Sequence, residues 1–283
     1  MRSPSRNSLW AAAALAGIVA LALCFWRPGP GKAGRAKNGL PGIESSKASE
    51  AASPDASTSA GDAARMISNA ATALKAASDA EAARRVVTAL RRELVTLPPD
   101  AAAATIRGFL DSREDVPTRL EFKVGADGFL NGAPSLRVFL LDSLGQVDPA
   151  AAAAYAGHIL GSRESSEEWA VSLRNYAVAR RTPAGTAFLQ DKLRQMLRHE
   201  PWRNKPSASF LEAFDVAVHV GGTGLLPELT ELLRQQDNRA VAHAAYLALD
   251  RLVIREPAAV LEVLQRQPEM MTGREGTRAN YFA

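Results

Sequence analysis

Cysteine is all but absent: the single thiol, Cys24, lies inside an apolar N-terminal run. No disulfide can form within the chain, and the rest of it holds no thiol nucleophile. Histidine is scarce as well, and the four present, His158, His199, His219 and His243, are scattered along the chain. There is no His-Glu-x-x-His, no Gly-x-Ser-x-Gly, no phosphate loop and no acidic loop with calcium spacing. Gly29-Pro30-Gly31-Lys32-Ala33-Gly34 has the letters of a dinucleotide fingerprint, but no strand precedes it and no helix follows. Catalytic, metal and cofactor-binding residues are therefore expected to be none. Aromatic residues are only 6% of the chain while alanine abounds, a balance suited to tightly apposed helices.

Excess charge is missing from most of the chain. The net charge is +4, but seven of the 34 basic and three of the 30 acidic residues fall in residues 1–60, leaving 27 of each in the remainder. A neutral folded region lacks the basic excess of a phosphate-tracking surface, which disfavours nucleic acid as a partner.

What is present first is an uncharged run. Leu9 to Trp26 comprises eighteen residues without a charge, preceded by Arg2 and Arg6 and closed by Arg27-Pro28-Gly29-Pro30. As a helix it would be ~27 Å long, against a bilayer core of about 30 Å, so it reads as a transmembrane helix or signal anchor behind a short basic tail, residues 1–8. Phe25 and Trp26 suit the interface. The run exceeds an ordinary cleaved export peptide and lacks a good small-x-small site, and Leu23 is too large to precede a lipidated Cys24. Lysine and arginine flank both ends. A basic tail followed by an apolar run resembles an export signal, which places the folded part on the extracytoplasmic side, periplasmic or extracellular. Residues 27–60, rich in Gly, Pro, Ser and Ala with no buried period, read as a disordered tether reaching about 30 to 35 Å.

From residue 61 to 267 the dominant pattern is helical. Apolar residues at i, i+1, i+4, i+7 and i+8 recur at Ala102, Ala103, Ile106, Phe109, Leu110, then at Ala152, Ala153, Ala156, Ile159, Leu160, and again at Leu225, Leu226, Leu229, Leu232, Leu233. Partial copies start at Leu189 and Val260. The starts are 50, 37, 36 and 35 residues apart, a solenoid period. Pro99, Pro149 and Pro257 each lie three residues before a start, where proline suits a first helical turn. Second helices lie between, marked by Leu136, Leu140 and Leu144; Trp169, Leu173 and Tyr176; Phe210, Phe214 and Ala217; Val241, Ala245, Ala248 and Leu252. Amphipathic helices near 62–77 and 79–96 begin the array, the second capped by Ser78 or Asp79.

Leu225-Leu226-Pro227-Glu228-Leu229, Leu232-Leu233, Asp237-Asn238, Val241, Ala244-Ala245, Ala248-Leu249 and Leu252 resemble a HEAT repeat. The resemblance covers residues 223–254 well and 99–222 in period and apolar placement. It implies an all-α fold, a right-handed stack of HEAT-like helix pairs forming an α-solenoid. Tetratricopeptide repeats share the period, but their aromatic and glycine pattern does not recur here.

The long first spacing places an insertion near 117–133, where Leu120, Phe122 and Val124 alternate and Ala126-Asp127-Gly128 offers a turn, so a small hairpin or an ordered loop on the first helix pair is expected. Residues 268–283 read as a flexible tail.

Stacked helix pairs present an extended surface and need no cofactor, which favours a tethered scaffold binding a protein partner. The alternative is an enzyme or nucleic-acid-processing protein on the same framework. The side of the second helices away from their core stripe carries Ser172, Asn175, Asp215, His219, His243 and Tyr246, the expected partner-binding residues. Asp215 and His219 share one helix face, and His243 follows in the next unit, a set that could hold a metal but fits helix-face hydrogen bonding and ordinary exposure to solvent better. Trp169, Tyr176, Phe210 and Phe214 fall at core spacing.

Overall fold

A computed structural model describes residues 54–283 apart from 163 and 236. The apolar run Leu9 to Trp26 and most of the 27–60 tether lie outside the described residues. No helix among the described residues is long and apolar enough to cross a membrane.

The described residues are all-α apart from one small hairpin. Helix α1 is Pro54–Ala76, α2 Ala80–Leu94 and α3 Pro99–Asp111, followed by β1 Lys123–Val124 and β2 Leu130–Gly132. Then come α4 Leu136–Val147, α5 Pro149–Ile159, α6 Ser166–Ala179, α7 Pro183–Leu197 and the short α8 Glu200–Asn204. Helices α9 Ala208–Val220, α10 Leu226–Arg234, α11 Arg239–Arg255 and α12 Pro257–Arg266 lead to a 3₁₀ turn, Pro268–Met271, and a last helix α13, Glu275–Phe282. Helix α1 starts at Pro54, inside the stretch read from sequence as tether.

Local chemistry sets the helix starts. Pro99, Pro149, Pro183 and Pro257 occupy the first position of α3, α5, α7 and α12, where a missing N–H costs nothing. Side-chain caps start others: Asp79 Oδ1 accepts from the Ala82 N–H at 2.8 Å, Asp148 Oδ1 from Ala150 and Ala151 at 3.0 Å, and Thr182 Oγ1 from Gly185 at 3.1 Å. The Ala82 amide and the Ser78 hydroxyl hold the Asp79 carboxyl below its ordinary range.

Packing follows two rules. Helices α2, α4, α6, α9 and α11 form a line in which each packs on the next. Helices α3, α5, α7 and α10 pack on α4, α6, α9 and α11 respectively. The template residues Ala102, Ile106, Ala152, Ala156, Leu189, Leu193, Leu229, Leu232 and Val260 are all buried, as are Trp169, Phe210 and Phe214. Helix α4 is enclosed on every side, with all residues from Leu136 to Leu144 buried. Its neighbour α6 comes so close that a Cβ on Gly145 would lie 2.4 Å from Asn175 Oδ1.

The insertion is an antiparallel hairpin pairing Lys123 with Gly132 and Val124 with Leu130. Arg119, at φ 60°, donates through Nη1 to the carbonyls of Ala77 and Ser78 at 2.9 and 2.8 Å, placing a cation at the C-terminus of α1. The expected flexible tail is instead folded. Met271 is buried against the core, and Arg274 Nη2 donates to the Leu233 carbonyl at 2.9 Å, so both apolar burial and a hydrogen bond order this segment.

Candidate functional site

The six residues expected on a shared surface separate into three groups. Ser172 and Asn175 are buried, which removes them from any partner-binding surface. The reason is that α6 packs on α4, α5, α7 and α9, which buries every residue from Trp169 to Asn175. Asn175 instead ties two helices together, its Nδ2 donating to the Leu141 carbonyl at 2.8 Å.

Asp215 and His219 are half-buried on α9. Asp215 forms a close ion pair with Arg251 of α11; burial pushes its carboxyl up, against the pull of that guanidinium. Burial, helped by Arg181 and Arg255, pushes the His219 imidazole down. Among the described residues no group of three or more His, Cys, Asp or Glu side chains is placed to hold a metal ion.

His243 and Tyr246 lie together on one side of α11. Their rings stack at 6.4 Å between centroids and 24° between planes on α11. Both line an open cleft of about 780 Å³ between α10, α11 and the C-terminal segment. Its other walls include Arg234, Arg239, Arg274, Thr272 and Thr277, and none of the lining residues is acidic.

Sequence reasoning missed a run of buried charge along the helix line. Asp142 of α4 is fully buried, and its Oδ2 accepts from Arg91 Nη2 of α2 at 2.8 Å and from the Leu130 N–H of the hairpin at 2.9 Å. Its Oδ1 makes a close pair with Arg174 of α6. Burial pushes the Asp142 carboxyl up, while Arg174, the Leu130 amide and Arg91 pull it down. Beyond Arg174, Glu212 of α9 is buried, and desolvation lifts its carboxyl from 4.5 to about 7 despite the attraction of Arg174.

Further pairs tie other seams. Arg137 Nε meets Glu168 Oε1 at 2.9 Å, and Glu228 Oε1 receives Arg194 Nε at 3.0 Å and Arg198 Nη2 at 2.6 Å. A seam that slipped would strand the buried member of such a pair. The visible sequence signal for Asp142 was a carboxylate flanked by apolar residues on every face of α4. Comparison of the chain with protein-family models, curated proteins and solved structures returned no match.

Proposed function

We propose that this chain is a membrane-anchored, non-catalytic scaffold that holds a protein partner on an α-solenoid surface of HEAT-like helix pairs. The observation that carries this reading is the line α2, α4, α6, α9 and α11, with a flanking helix from each successive unit packed on it. Units joined only to neighbours form an extended surface, and such surfaces bind other chains without a cofactor. The 35- to 37-residue spacing of the later units supports the same reading. At the N-terminus, the uncharged run Leu9 to Trp26 provides the anchor, and residues 27–53 provide reach on the extracytoplasmic side. Tethering then raises the local concentration of whatever the array binds.

With Ser172 and Asn175 enclosed, the surface to probe is the one around His243 and Tyr246. Photocrosslinking side chains introduced at these two positions in the full-length chain, in intact cells, should trap one discrete protein adduct in the membrane fraction. Position Arg92, exposed at the other end of the array, serves as the comparison. Recovery of the chain in the soluble fraction would remove the anchor from the proposal. Adducts from neither cleft position, together with substrate turnover by the purified chain, would replace the scaffold with the enzyme reading.

A further inference from the structure

The arginines of this protein divide into two populations. At the seams between helices, Arg91 and Arg174 meet Asp142, Arg194 and Arg198 meet Glu228, and Arg251 meets Asp215. Around the cleft between α10, α11 and the C-terminal segment the pattern changes. Arg274 has a carbonyl for a partner, Leu233 O at 2.9 Å, and Arg234 reaches the Glu269 carbonyl at 3.4 Å. Arg239 has no hydrogen-bond or ion-pair partner among the described residues.

Three guanidinium groups thus line one concavity of about 780 Å³ that contributes no carboxylate of its own. Like charges so placed repel, and a bound anion relieves that repulsion. Thr277 and Gln235 add a hydroxyl and an amide to the lining, while the stacked rings of His243 and Tyr246 form one wall. Arginines contributed by three separate elements, α10, α11 and the C-terminal segment, suit the tetrahedral oxygens of a phosphate better than the planar pair of a carboxylate. The volume falls in the usual range for small-ligand sites, about 300 to 1,000 Å³.

We infer that this cleft binds a phosphate group, with Arg239 and Arg274 as its principal ligands. The phosphate could belong to a soluble phosphoanhydride or to a lipid headgroup, and the two sources can be told apart. This site shares the cleft of His243 and Tyr246 with the scaffold reading but does not rest on it, since the phosphate probes need no protein partner.

The full-length chain is titrated calorimetrically with inorganic pyrophosphate and, separately, with phosphatidylcholine vesicles with and without phosphatidic acid, all at fixed ionic strength. Saturable binding of either phosphate probe is expected, weakened at least tenfold by Arg239→Gln and less by Arg239→Lys, which keeps the charge but loses the planar fork. Because Arg239 is exposed and has no partner among the described residues, its substitution should leave the thermal midpoint unchanged without ligand. Pyrophosphate binding assigns a soluble ligand, and binding only to phosphatidic acid vesicles assigns a lipid headgroup. Absence of saturable binding to both, equal weakening by the remote Arg92→Gln, or citrate bound as tightly as pyrophosphate would overturn the proposal.

Discussion

Asp142 shows how much one buried carboxylate can hold. It is fully enclosed and receives two guanidinium groups and a backbone amide, from α2, α6 and the hairpin. Asp142→Asn keeps the shape but removes the charge, leaving Arg91 and Arg174 without their counterion. We expect a loss of about 3–5 kcal/mol, the usual cost of breaking a buried pair, read from urea denaturation at neutral pH. A loss under about 1 kcal/mol would show that water reaches these arginines. Glu212 gives the opposite case, since desolvation raises its carboxyl to about 7. The folded chain then keeps a proton that the unfolded chain releases near 4.5. Folded protein binds more protons across that interval, so this group lowers stability as pH climbs from 4.5 to about 7, after which the effect levels off. Arg174 opposes the shift, and Asp215 and Asp142 reinforce it. Glu212→Gln should therefore gain on the parent chain with rising pH, approaching about 3 kcal/mol at pH 8. Denaturation curves from pH 4 to 8 that stay parallel would mean that the carboxyl titrates normally.

Among the helices, the seam between α4 and α6 is closed at a glycine. A methyl group on Gly145 would meet the Asn175 amide oxygen at 2.4 Å, and that amide also bonds the Leu141 carbonyl. Alanine favours a helix over glycine by about 1 kcal/mol, yet overpacking a closed seam costs about 1–3 kcal/mol. Gly145→Ala should thus be destabilising, and should cost less when Asn175→Ala has already cleared the space. A double-mutant cycle by denaturation measures that coupling, and strict additivity would contradict it. This seam also marks the limit of what the sequence disclosed. Helix starts were legible because proline and capping side chains act locally, as at Pro149 and Asp79. Core stripes were legible from their period. The enclosure of Ser172 and Asn175 was not, because a period reports one buried face and says nothing of neighbours on the others. Val138, Phe139 and Leu141, apolar residues beyond the stripe of α4, were the available hint that this region is covered all round.

For the whole molecule, the C-terminal segment is part of the fold and not an appendage. Met271 is buried and Arg274 bonds α10 through the Leu233 carbonyl. A chain ending at Gln267 should lose about 2–4 kcal/mol, chiefly the burial of Met271 and its packing. Its thermal midpoint should fall, while hydrogen exchange in α2 to α4 at the far end stays as slow as before. Uniform loosening of the whole chain would show instead that the array melts as one unit. Sequence reading took this segment for a flexible tail. Only the site into which Met271 fits reveals its role.

The cross-links between helices all reach to near neighbours: Arg91 to Asp142 spans 51 residues, Arg174 to Asp142 32, Arg194 to Glu228 34 and Arg251 to Asp215 36. Links of this kind bear load in series. Under tension between the two ends of the chain, the force passes through every seam in turn, and the weakest seam opens first while the others stay shut. Extension is then expected in steps of one helix pair, so that the molecule lengthens under strain without releasing all of its structure at once.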